Sequence, residues 1–259
     1  MVMKEFKKYS AFCICFLVTT VMFAQHTNMA RIEAGEYIPL YGNDTVAVQV
    51  ASFLMDKYPV KMTDYLQFVR SNPSWKRSNV KSIFADKSYL KSWEADVELG
   101  DQINENAAVN YVSWFAAKAY CECQGKRLPT LDEWEYVAMA DQTKKDARKD
   151  VEYTEEILSW YETPNTAILS VGQSEPNYWD VYDMHGLVWE WTMDYNSVML
   201  SGESRRDVDS DQNLFCGAAS IGATDLMNYA AFMRYAFRGS IKASYALKNL
   251  GFRCASDIN

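Results

Sequence analysis

Hydrophobic positions change period several times along this chain, and each change marks an element. Residues 30–50 carry short runs broken at Gly35 and at Tyr41-Gly42-Asn43-Asp44, which predicts short strands joined by turns. Residues 53–59 predict a strand leading into a helix capped by Thr63. Tyr65, Leu66, Phe68 and Val69 supply that helix's apolar face, and Pro73 ends it. Residues 75–93 (WKRSNVKSIFADKSYLKSW) predict a surface loop with a helical turn, its lysine stems lying over a partly buried face. Ser113 caps a clear helix from Trp114 to Cys123, closed by Gly125, with Trp114, Ala117, Tyr120 and Cys121 on its inner face. Thr130 and Glu133 form a T-x-x-E capping box that opens the next helix through Trp134 and Val137. Residues 141–155 are strongly charged and predict an exposed segment, and residues 201–212 an acidic loop. Residues 224–235 have helical spacing in Leu226, Tyr229, Ala230 and Met233, with Thr224 as the cap. Residues 247–255 return as a buried strand.

The densest pattern is residues 177–194, NYWDVYDMHGLVWEWTMD. Three tryptophans, Trp179, Trp189 and Trp191, flank a turn at Gly186, and Asp180, Asp183, Glu190 and Asp194 sit among them. An aromatic corner with nearby carboxylates suits a hard cation such as calcium; it equally describes a Trp-rich core strand with solvated acids. The chain has two histidines, His26 and His185, which excludes a three-histidine iron or zinc centre within one chain. His185 reads either as a hydrogen-bonded core histidine or as part of a site lining.

The N-terminus changes the count of what folds. Lys4, Lys7 and Lys8 precede an apolar run over residues 9–24, and Phe23-Ala24-Gln25 offers a cleavage point. This layout predicts a secretory signal peptide over residues 1–24, a folded domain over 25–259, and no stable membrane span after cleavage, because a spanning helix needs about 20 apolar residues. Without residues 1–24, 23 basic side chains face 33 acidic ones, a net charge of −10. An acidic chain without a basic patch argues against nucleic-acid binding. Cys121, Cys123, Cys216 and Cys254 remain, an even number consistent with disulfides in a secreted or periplasmic protein.

Four stretches recur together in one family: residues 112–136 (VSWFAAKAYCECQGKRLPTLDEWEY), the aromatic corner, residues 234–238 (RYAFR) and residues 251–255 (GFRCA). In order, spacing and content they resemble the formylglycine-generating enzyme / sulfatase-modifying factor domain. The resemblance implies an α+β, C-type-lectin-like fold with much irregular structure and a small twisted sheet. It implies a Cys121–Cys254 disulfide. It also implies a calcium site at the corner, with the carbonyls of His185, Gly186 and Val188 and the carboxylate of Glu190 as ligands, although Leu187 stands where the family has Asn. The other reading of Glu190 is a salt bridge to Arg234 or Arg238.

The aerobic enzymes of that family use two cysteines, five apart, to bind copper(I) and oxidise a substrate cysteine; soft thiolates suit that ion. The family spacing places those positions at Asp225 and Ala230. Two functional readings follow. One is an exported domain without formylglycine-generating activity that binds a protein or peptide partner in a groove flanked by Trp189, Ser220, Asp225 and Arg234. The other is a metal-dependent oxidoreductase or maturation factor using Cys123 and Cys216, as a copper-binding or disulfide-exchanging pair, on the same scaffold. A second disulfide or buried thiols is the plainer account of that pair.

Overall fold

The computed structural model describes residues 28–39, 46–162, 169–196 and 226–258. The expected signal segment, the 41–44 turn, the 201–212 loop, Thr224, Cys216, Ser220 and Asp225 lie outside these residues.

The opening region forms β1 (Met29–Ile32), β2 (Gly35–Tyr37), β3 (Val48–Val50) and β4 (Phe53–Asp56). β1 and β4 pair antiparallel, with Ile32 opposite Phe53, and the far end of the chain, β7 (Ala255–Asp257), adds to the other edge of β4. The order β1-β4-β7 therefore closes the two chain ends of the domain against one strand. β2 and β3 form a separate antiparallel pair. β5 (Trp189–Glu190) and β6 (Leu250–Gly251) form a short parallel pair, which lays the aromatic corner beside the C-terminal segment. Gly251 is required there, since a Cβ would stand 2.4 Å from the Val109 carbonyl oxygen. The tail predicted as one strand is thus two, β6 and β7, with residues 252–254 irregular between them.

Helix α1 (Met62–Ser71) buries Tyr65, Leu66, Phe68 and Val69 as its spacing predicts. Thr63 is not its cap. The cap position is Lys61, whose side chain makes no capping bond. The reason is that the Met62 and Thr63 amides donate to the Ala107 and Glu105 carbonyls at 2.9 and 3.1 Å, so backbone satisfies the first turn. A 3-10 turn at Pro73–Trp75 follows, and in the loop beyond it Ala85, Tyr89, Leu90 and Trp93 are buried. Helix α2 (Trp114–Cys123) starts at Ser113, whose hydroxyl accepts from the Ala116 amide, and Gly125 turns the chain away at φ 68°. In helix α3 (Leu131–Ala138) the Thr130–Glu133 capping box is complete in both directions.

Helix α4 (Val151–Glu162) begins within residues 141–155, a stretch that is largely exposed as expected, with Ala147 and Thr154 its buried residues. The helix's buried stripe is narrow: Thr154, whose hydroxyl donates to the Asp150 carbonyl, and Ile157, three residues on. Helix α5 (Leu226–Ser240) packs against α4 through Ala230 and Ile157. Its buried face is Ala230, Ala231, Arg234, Tyr235 and Arg238, so Met233 lies beside that face rather than on it.

Two large apolar clusters carry the core. One gathers Tyr65, Trp93, Tyr120, Trp191 and Phe252. The other gathers Ile32, Phe53, Met55, Trp134 and Trp179. Cys121 and Cys254 are joined by a disulfide that closes 133 residues. In the chain-entropy account a loop of that length stabilises by about 5 kcal/mol. Cys254→Ser is therefore expected to lower the unfolding free energy by several kcal/mol in denaturant titrations, and reductant to have the same effect on the native chain but none further on the variant.

Candidate functional site

The site is assembled by charge pairs between elements far apart in sequence. Glu190 on β5 is fully buried and receives Arg253, whose Nε lies 2.9 and 3.1 Å from its two carboxylate oxygens. The remaining Arg253 donors reach the carbonyls of Asp56, Lys57, Tyr182 and Asp183 at 2.9–3.3 Å. Trp134 Nε1 donates to the same Glu190 carboxylate at 2.7 Å. The next residue on α3, Glu135, takes a different pair: Arg234 at 2.7 Å and Arg238 at 2.9 Å, both from α5. Arg238 also lies over the Trp134 ring, 4.6 Å from its centroid. Spaced i, i+4, the two arginines point from one face of α5 onto one carboxylate. Burial would push Glu135 upward, but Arg234 and Arg238 outweigh it and hold its pKa at about 2.

Glu190 is thus paired with neither Arg234 nor Arg238, and the expectation for it is corrected to Arg253. The calcium expectation meets the same fact. Both Glu190 oxygens are engaged by a guanidinium and an indole N–H, in a pocket where a second cation would face the first, so this carboxylate does not fit a calcium ligand. The other acids of the corner do not converge. Asp180 pairs with Lys57 at 2.6 Å, Asp183 accepts from Ser174 at 2.7 Å, and Asp194 accepts from the Leu131 amide at 2.7 Å, at the start of α3. Among the described residues, no group of three or more His, Cys, Asp or Glu side chains is placed to hold a metal ion.

His185 lies half-buried behind the corner. Its Nε2 lies 2.8 Å from the Ala138 carbonyl and 3.1 Å from the Tyr153 hydroxyl. A carbonyl only accepts, so Nε2 carries the proton. Burial, helped by the nearby Arg234 charge, pushes the imidazole pKa down to about 4, so the ring is neutral at pH 7. Next to it Gly186 sits at φ 92°, and a Cβ there would stand 1.3 Å from the Trp160 ring. Only glycine fits, and the ring of Trp160 closes over the bare backbone.

These residues surround a cavity of about 60 Å³. Trp134, Trp160 and Trp189 form walls, and Arg234, Arg238 and Glu190 supply its charge. Trp189 is held from behind by Phe237, stacked at 4.6 Å. Of the residues expected at a site, His185, Gly186, Val188, Glu190, Trp189 and Arg234 all line this one cavity. Cys123 does not: it is an exposed free thiol on α2, its sulfur 3.8 Å from the Asn72 side-chain amide. The sequence reading missed Glu135, Arg253 and Trp160. The first two stood in motifs already singled out, EWEY and GFRC, where a buried charge has no periodic signature.

The sulfatase-modifying factor enzyme 1-like domain model matches residues 19–258. The chain belongs to this family. Its α+β fold, with short strands, few helices and much irregular structure, is therefore that of the formylglycine-generating enzymes. The inactive C-alpha-formylglycine-generating enzyme 2 of Bos taurus is 28% identical over 258 residues, covering 81% of this chain and 78% of that protein. The formylglycine-generating enzyme of Streptomyces coelicolor is 33% identical over 171 residues, covering 60% of this chain and 54% of that one. PvdO from Pseudomonas aeruginosa superposes with a TM-score of 0.49 at 16% identity, covering 89% of this chain and 94% of that chain. The chain is a sulfatase-modifying-factor-like domain protein, related both to active and to inactive formylglycine-generating enzymes.

The neutral His185 makes a pH prediction with a definite sign. Its folded pKa, about 4, lies below the ordinary 6.5, so between those values the unfolded chain takes up a proton that the folded chain refuses. This contribution is fully present above pH 6.5 and is lost as pH falls toward 4, by roughly 3 kcal/mol. Denaturant titrations at pH 7, 5.5 and 4 should show that loss in the native chain and a flatter profile in His185→Gln.

Proposed function

We propose that this protein is an exported sulfatase-modifying-factor-like domain that does not generate formylglycine and instead binds a protein or peptide partner at the cavity beside Trp189. The observation that carries the reading is Ala230. The family spacing puts one copper thiol at this position, and here it is a methyl group, buried against Ile157 between α5 and α4. A methyl group offers copper(I) no ligand, and by the same spacing the partner position is Asp225. Similarity to a bovine protein described as inactive supports the same conclusion.

Partner binding is supported by the cavity itself. Aromatic walls with a few converging charged groups are the common make-up of binding pockets and interface hot spots. Export is supported by the basic and apolar N-terminal sequence and by the Cys121–Cys254 bond, since disulfides persist in oxidising compartments. The oxidoreductase reading has less behind it, because Cys123 stands outside the cavity.

The test has two arms. Incubated with copper(I), oxygen and a cysteine-containing sulfatase-type peptide, the protein should leave the cysteine unchanged by mass spectrometry. On a peptide array, bound sequences should lose about tenfold or more in affinity to Trp189→Ala. Aldehyde formation by the native chain overturns the first arm, and array binding indifferent to Trp189→Ala overturns the second.

A further inference from the structure

We propose that the cavity's recognition element is Arg238, and that the group it receives is a carboxylate: an acidic side chain or chain-end carboxylate of a peptide. The proposal rests on reading this cavity as the partner site. Four features of the structure lead to it.

Arg238 is buried, 3% exposed, and lines the cavity. Its Nη1 donates to Glu135, but its Nε is buried with no hydrogen-bond partner among the described residues. A guanidinium whose buried donors are incompletely paired keeps its full positive charge at the cavity wall, which favours a ligand that brings a negatively charged oxygen. Glu135 cannot satisfy it alone, because the same carboxylate already takes three short contacts from Arg234 at 2.7, 3.0 and 3.2 Å.

The other carboxylate in the cavity is not available either. Glu190 is held by Arg253 and Trp134. His185 is neutral and its Nε2–H is directed to Ala138 and Tyr153, so it neither competes for an anion nor adds a negative charge. An arriving carboxylate therefore finds a fixed guanidinium in a partly desolvated pocket, where a charge-assisted bond is stronger than in water.

The space is matched to a small group. About 60 Å³ corresponds to a few waters at about 10–15 Å³ each, enough for a carboxylate on one or two methylenes. Trp160, Trp134 and Trp189 would flank those methylenes. A separate, larger cavity of about 220 Å³ shares the Ile157, Trp160, Met184 and His185 walls and is lined by Asp141, Asp150, Glu152, Glu156 and Glu175, an acidic lining that would repel a carboxylate. The contrast restricts anion capture to the Arg238 end.

Calorimetric titration of the native protein with blocked glutamate, blocked glutamine and inorganic phosphate tests this. The pair of amino-acid derivatives has one shape and differs in charge. Saturable binding of glutamate, weaker by about tenfold or more for glutamine and for Arg238→Gln, is the expected result. Because Arg238→Gln removes a partner from buried Glu135 and can unfold the chain, Trp160→Ala serves as the second variant. It opens one wall, leaves the charge network intact, and should weaken glutamate binding severalfold. Equal binding of glutamate and glutamine, no binding of glutamate, or binding of phosphate alone overturns the proposal. Array peptides that bind through Trp189 yet need no acidic residue would sink the carboxylate assignment while leaving the partner site standing. Formylglycine production by the native chain would instead sink the reading beneath it.

Discussion

The Glu190–Arg253 pair is the interaction on which the rest of the molecule depends. Both side chains are fully removed from water. Desolvating two charges costs several kcal/mol each, and the cost is offset only where every donor and acceptor is matched. Here they are matched. Arg253 reaches the carboxylate and four backbone carbonyls, those of Asp56 and Lys57 after β4 begins to turn and those of Tyr182 and Asp183 in the corner. One guanidinium thus ties the C-terminal segment, the first sheet and the aromatic corner to a single point. The adjacent Cys254 closes the same point covalently to α2.

From that anchor the cavity follows. With Glu190 fixed, Trp134 is oriented by its indole N–H, and Arg238 lies across the ring's face. Trp134 and Glu135 are consecutive on α3, so they project about 100° apart and take the two charge systems separately. The floor is therefore two ion clusters divided by one tryptophan. At Ala230, where the family spacing would place one copper thiol, a methyl group packs against Ile157 instead. The family scaffold is shared with enzymes, but chemistry belongs to the side chains placed on it.

Much of this was legible in the sequence where local rules govern. Ser113, Gly125 and the Thr130–Glu133 box announce their helix ends, because capping is decided by a few neighbouring residues. The lining of the site was legible through motif content, since Trp189, Glu190, His185, Gly186 and Arg234 come together in one cavity. What could not be read was who pairs with whom. Thr63 lost the cap because distant backbone at 105–107 supplied the acceptors, and Glu190 took Arg253 because β5 lies beside β6. Both outcomes are set by long-range placement that no spacing encodes. Helix α4 escaped because its buried stripe is two residues wide within an acidic run.

Glu190, with both oxygens engaged by Arg253 and Trp134, is half of a structural ion pair and fits a calcium ligand poorly. Thermal unfolding of the native chain and of Glu190→Gln, each with excess calcium and with chelator, tests it most directly. No calcium-dependent shift attributable to Glu190 is expected, and a loss of several kcal/mol is expected in the variant under both conditions, since removing one partner strands the Arg253 charge. A calcium-induced rise in the midpoint of the native chain that disappears in Glu190→Gln would contradict it.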